Sequence, residues 1–167
     1  MPRRLLLPLA TILVATLSLV ACSRSDQGAG EQIPPAKLVD LQTAKPVDWP
    51  SNGKPTVVNY WASWCAPCRK EMPAFDAVAS KLDGKVNIVG VTDDDDLAAA
   101  KAAAEKSGAT YPLYRDVDQT LITDLNLSGL PGTVFLDEDG KVVGRHLGAL
   151  TEAELTKQIE ERYDVQA

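Results

Sequence analysis

The stretch that most limits the fold is 56–62, TVVNYWA, because it runs directly into SWCAPCRKEMP. Five of those seven residues are apolar, the pattern of a strand buried on both faces. From Cys65 the period changes to that of a helix. Met72, Phe75, Val78 and Leu82 recur on one side of a segment spanning 65–82. Two cysteines, Cys65 and Cys68, therefore sit where a buried strand stops and a helix starts.

The elements downstream follow the same logic. KVNIVGV, 85–91, predicts a second buried strand. An alanine-rich helix is expected over 93–107, stopped by Gly108. YPLYRD predicts a short extended piece, and 119–126 a short helix. TVFLD, EDG and KVVGRHL spell strand, turn and strand, a hairpin. Thr151 and Glu154 have the spacing of a capping box that opens a last helix ending near Tyr163. Upstream, 37–50 predicts an extended lead-in with one short strand. The order is βαβα, a short helix, then ββα. That order places the chain in the α/β class, with a mixed sheet and helices on both faces.

The N-terminus follows a different logic. Arg3 and Arg4 precede an apolar run over 5–20 that ends in LVAC, 19–22. A positive start, an apolar stretch and a small residue before the cut mark an export signal over residues 1–21. LVAC resembles the lipobox of bacterial lipoproteins, which implies a lipid on Cys22. The residues flanking Arg3 and Arg4 do not support twin-arginine export. Residues 22–36 then read as the lipidated cysteine and a flexible Gly- and Pro-containing tether, with the folded domain over 37–167. Removing 1–21 removes two arginines and no acid, taking the net charge from −6 to −8. So acidic a domain is no nucleic-acid binder, and would be held at a membrane by its lipid rather than by anionic headgroups. The expected location is extracytoplasmic, on the periplasmic side if the cell has an outer membrane.

With Cys22 acylated, Cys65 and Cys68 are the remaining thiols of the three in the chain. Structural zinc needs four ligands, and His146 is the single histidine. Covalent haem needs a His after the second cysteine, where Arg69 stands. A purely structural disulfide closing so short a loop adds little stability. Redox chemistry is the main reading, and the position favours it. At a helix N-terminus the unpaired N–H groups and the dipole stabilise a Cys65 thiolate. Pro67 suits the first turn, where no N–H is needed. Cys68, one turn in, is placed to resolve a mixed disulfide. No metal is expected, and no cofactor beyond the redox-active disulfide itself.

NYWASWCAPCRKEMP resembles the active site of the thioredoxin superfamily, nearest its membrane-tethered TlpA/ResA/DsbE branch. SGLPGTVFLDEDGKVVGRHLG resembles the second landmark of that family, and the likeness covers about 37–165. The resemblance implies a thioredoxin-like fold and a cis peptide at Pro131. It also implies a Leu130 backbone that pairs with an extended substrate. Thioredoxin itself has a buried Asp six residues before the first cysteine; here Asn59, which cannot titrate, stands there. The branch uses instead a Glu three residues after the second cysteine, and Glu71 matches as proton acceptor. Trp64 is expected to shield the nucleophile or touch substrate, Trp61 to pack in the core, and Pro73 to kink the first helix. Arg69 and Lys70 are expected in solvent. DDDD, 93–96, is expected as a helix cap and solvated face, and His146 as an ordinary strand residue.

The resemblance implies an extracytoplasmic thiol–disulfide oxidoreductase acting as a reductant on disulfide-containing proteins, apocytochrome c among them. Its donor would be a membrane carrier of the CcdA/DsbD type, and the domain is expected to be a monomer. One alternative is an oxidant of the same fold, although Ala66–Pro67 is not the Pro-His pair of DsbA-like oxidases. A peroxidase would need Thr where Ala62 stands. A Cu(I) chaperone is the alternative from another class, but such relatives use CxxxC with a distant His.

Overall fold

The computed structural model describes residues 30–48 and 53–166. The expected export signal and Cys22 lie outside them, as does Trp49. The sheet has seven strands: β1 Leu38–Asp40, β2 Pro46–Val47, β3 Thr56–Trp61, β4 Asn87–Thr92, β5 Leu113–Asp116, β6 Gly132–Leu136 and β7 Val142–Leu147. Their spatial order is β2-β1-β5-β4-β3-β6-β7. The central three, β3, β4 and β5, are parallel, and β6 runs antiparallel to β3. The lead-in forms two short strands rather than one, because the Asp40 carboxylate accepts from the Thr43 N–H at 2.7 Å and turns the chain.

Three long helices, α1 Ala66–Leu82, α2 Leu97–Ser107 and α4 Glu152–Tyr163, share one face of the sheet. The chain steps from β3 to β4 to β5 in one direction, so right-handed crossovers put α1 and α2 on the same side. α1 buries Met72, Phe75, Val78 and Leu82 as its period requires. Full burial of each such side chain contributes about 1.5–3 kcal/mol. Pro73 falls on the exposed side, and the helix continues past it. The other face is covered by the single turn α3, Leu121–Asp124, and by Ile33. Helices thus lie on both faces, as expected, but unequally.

Several boundaries differ from expectation; the short helix expected over 119–126 is the single turn Leu121–Asp124, and the strand expected over 85–91 is Asn87–Thr92. α2 starts at Leu97, not Asp93, because the Asp96 carboxylate caps the Ala99 N–H at 3.0 Å. It ends as expected at Gly108, whose φ of 73° suits glycine. The tether expected over 22–36 does not stay free at its end. Gly30 donates to the Val142 carbonyl at 2.6 Å, Val142 donates to that of Glu31 at 3.0 Å, and Ile33 is buried. Residues 30–33 therefore cover part of the β7 edge, whose backbone groups would otherwise face solvent. The hairpin and the capping box of α4 form as expected. Among the described residues no helix is long and apolar enough to cross a membrane.

Candidate active site

Cys65 is the N-cap of α1, and its sulfur accepts the Cys68 N–H at 3.3 Å. The same N–H is aimed where a thiolate charge would develop on reduction. Cys65 and Cys68 are joined in a disulfide, with Cα atoms 5.3 Å apart. Cys65 retains 5% exposure and Cys68 none. An outside sulfur therefore meets Cys65 first, which fits nucleophile and resolving roles in that order.

Glu71 lies one turn beyond Cys68 on the buried side of α1 and is 3% exposed. Its carboxylate accepts from the Asn59 Nδ2 at 2.8 Å and from the Leu150 N–H at 2.9 Å. Burial pushes its pKa up to about 7, against the lowering effect of those two donors. A carboxyl so placed exchanges its proton near neutrality, the requirement for accepting one from an attacking thiol. A cleft of about 260 Å³ between α1 and residues 149–151 reaches Glu71.

Leu130–Pro131 is a cis peptide, as the family resemblance implies. Gly132 pairs with Tyr60 at the end of β3 from which the cysteine loop departs, so Pro131 stands at the disulfide end of the sheet. A Cβ on Gly132 would come within 2.9 Å of the Leu127 methyl groups, which would have to shift to admit it. Leu130 is half-buried between the two core clusters. Trp64 is 72% exposed directly before the nucleophile, whereas Trp61 is fully buried. Trp64 thus does not pack in the core and is free to touch a partner. His146 is a half-buried residue of β7 paired with Thr133, an ordinary strand position. A cavity of about 710 Å³ lies at the opposite end of the strands, near Asn87 and Val47, away from the cysteines.

Two expectations need correction. The aspartate run is not one solvated face. Asp94 is buried, and its Oδ2 accepts from the Ser63 N–H at 2.6 Å and from the Thr92 hydroxyl at 3.1 Å. It ties the loop carrying Trp64 to the end of β4. Asp93 is half-buried and its pKa is raised, by burial first and then by Asp94, Asp116 and Asp95. Arg69 is not simply solvated either; its Nη1 donates to the Ser63 carbonyl and closes the same loop from α1. A third residue, Tyr111, had no local signal. It is buried, and its hydroxyl donates to Asn59 Oδ1 at 3.0 Å. The clue lay in Asn59 itself, a polar residue inside an apolar strand that demands partners.

The Redoxin family model matches residues 28–159. Thiol:disulfide interchange protein HelX of Rhodobacter capsulatus is 35% identical over 135 residues, covering 79% of this chain and 75% of that protein. Thiol-disulfide oxidoreductase ResA of Bacillus thuringiensis is 32% identical over 127 residues, covering 75% and 73%. Among solved structures, the thioredoxin domain of a thiol-disulfide oxidoreductase from Bacteroides vulgatus superposes with a TM-score of 0.70 at 23% identity, covering 80% of this chain and 96% of that one. The fold is thioredoxin-like.

Proposed function

The chain belongs to the Redoxin family, and from that premise we propose that it reduces disulfides in exported proteins outside the cytoplasm, held to a membrane by lipid on Cys22. It is a thiol–disulfide oxidoreductase of the ResA/DsbE type with Cys65–Cys68 as its redox pair. The observation that carries the exchange reading is the buried Glu71 carboxyl one turn from Cys68; such a group serves exchange in either direction, so the direction is decided by the potential of the pair.

In the reduced enzyme the Cys65 thiolate attacks one sulfur of the substrate disulfide. The S–S bond breaks, a Cys65–substrate disulfide forms, and the departing substrate thiolate takes a proton from water. Cys68 then gives its proton to the Glu71 carboxylate and attacks the Cys65 sulfur. The second substrate sulfur leaves as a thiolate and takes a proton from water, and the Cys65–Cys68 disulfide remains. Two electrons have passed from enzyme to substrate. The described state is therefore the spent form, which a donor dithiol must reduce. Leu130 and Pro131 hold the substrate backbone beside the disulfide, and the exposed Trp64 presents its ring to the substrate. A membrane carrier of the CcdA/DsbD type suits the donor role, and apocytochrome c suits the substrate role because its haem-attachment motif carries two neighbouring thiols. The domain acts as a monomer with no metal.

The direction of electron flow is tested by the reduction potential of Cys65–Cys68 in the full chain, equilibrated in detergent with dithiothreitol buffers. We expect a value close to the thioredoxin figure of about −270 mV; a value close to about −120 mV would make the protein an oxidant.

A further inference from the structure

Glu71 does not stand alone in the core. It ends a chain of buried polar groups, Tyr111–Asn59–Glu71, that crosses from the start of β5 through β3 to α1. The three residues are far apart in sequence and all are nearly inaccessible to water. We propose that Tyr111 and Asn59 are positioning residues of the exchange reaction: the phenol holds the Asn59 amide with its NH2 toward Glu71 and so sets the pH at which Glu71 trades its proton. The proposal rests on the reading of Glu71 as the proton acceptor for Cys68.

The reasoning follows from what each group can donate. A phenol that donates to Asn59 Oδ1 leaves the Asn59 NH2 facing the carboxylate, where it stabilises the ionised form. If the amide turned over, its oxygen would face Glu71, and only a protonated Glu71 could donate to it. The phenol could then accept from the NH2, but its own O–H would lose the acceptor it has in Asn59 Oδ1, so the phenol favours the orientation with the NH2 toward Glu71. Tyr111 stays in its neutral form throughout, because burial first, and the Glu71 and Asp76 charges after it, hold its pKa well above the ordinary range.

In the oxidised protein the charged and titratable neighbours do not supply this effect. On α1, Cys68 is in the disulfide, Lys70 is exposed, Lys81 pairs with Glu152 of α4 at 2.8 Å, and Asp76 accepts the Thr110 and Tyr111 N–H groups. On α4, Glu154 folds back onto Thr151. What faces the Glu71 oxygens is two neutral donors, Asn59 and the Leu150 N–H.

Tyr111→Phe removes one oxygen and keeps the ring that packs against Phe75, so the fold should survive. In this variant the Asn59 amide loses the partner that orients it, the protonated Glu71 gains, and its titration moves to higher pH. The test is the 13C carboxyl titration of Glu71 in the full chain, paired with the pH dependence of mixed-disulfide resolution. We expect Tyr111→Phe to raise the midpoint by about half a pH unit or more, and Asn59→Ala to raise it further. We expect the rate profile to move with it while the high-pH plateau rate stays within about twofold. A Glu71 midpoint that stays put in both variants overturns the network. If the titration moves but Glu71→Gln resolves mixed disulfides with the wild-type pH profile, the proton-acceptor reading fails and the two residues are structural only.

Discussion

Replacing Cys65 with serine abolishes reduction of a protein disulfide, by on the order of 1000-fold or more, because no other thiol is placed to attack. Cys68→Ser behaves differently. Cys65 still attacks, but the mixed disulfide has no resolving thiol and persists. Mass spectrometry of the full chain mixed with a disulfide-bonded protein should show a one-to-one adduct through Cys65 for Cys68→Ser and none for Cys65→Ser. The asymmetry comes from burial, since Cys65 keeps a small exposed area at the N-cap and Cys68 keeps none. An adduct through Cys68 in the Cys65→Ser protein would reverse the assignment of roles. The cost to stability is small by comparison, about 1–2 kcal/mol for a buried hydroxyl without a full set of partners.

Glu71→Gln makes the oxidised protein more stable at alkaline pH. The folded-state pKa is raised from 4.5 to about 7. Between those values the folded chain holds a proton that the unfolded chain has released. The stability of the wild type therefore falls as pH rises through that window, and the contribution is fully lost above the folded value. The shift corresponds to about 3 kcal/mol, an upper figure for one buried carboxyl. Asp93 adds a fall of the same sign, whereas Asp40 and Glu154, both lowered, act in the opposite sense. Comparing the variant with the wild type isolates Glu71 from these. Urea unfolding of both oxidised proteins at pH 5 and pH 8 should show the gap between them widening in favour of Gln at pH 8. A gap that is equal at both pH values would mean that Glu71 ionises as an ordinary carboxylate.

The parts of this site that could be read in the sequence are those whose causes are local. A strand that turns into a helix at a CxxC fixes Cys65 at the helix N-terminus, while Glu71, in a charged run, is singled out by the resemblance and is found on the buried side with Cys68. The β6–β7 hairpin follows from a turn signal and two short alternating runs, whereas the cis peptide at Pro131 is implied by the family resemblance. What could not be read depends on contacts across the chain. Leu150 lies 79 residues from the carboxylate it binds, and Tyr111 lies 52 from Asn59. Asp94 resembled its three neighbours in the aspartate run, yet the backbone leaving β4 turns it inward to Ser63, 31 residues away. The docking of residues 30–33 rests on main-chain hydrogen bonds to a strand edge, which composition does not encode. The crowding of three helices on one face follows from the strand order, and that order is set only when β5 joins β4 and β1 joins β5.

The central claim is that Glu71 takes the proton of Cys68 as the mixed disulfide resolves. The most direct test is the rate of that step by stopped-flow tryptophan fluorescence from pH 5 to pH 9. Trp64, exposed beside Cys65, serves as the reporter. The wild-type rate should rise through a midpoint near the Glu71 value of about 7. Glu71→Gln should lack that limb and run on the order of 100-fold slower at neutral pH. Identical profiles for the two proteins would contradict the account, and would leave Glu71 a buried acid with no part in the exchange.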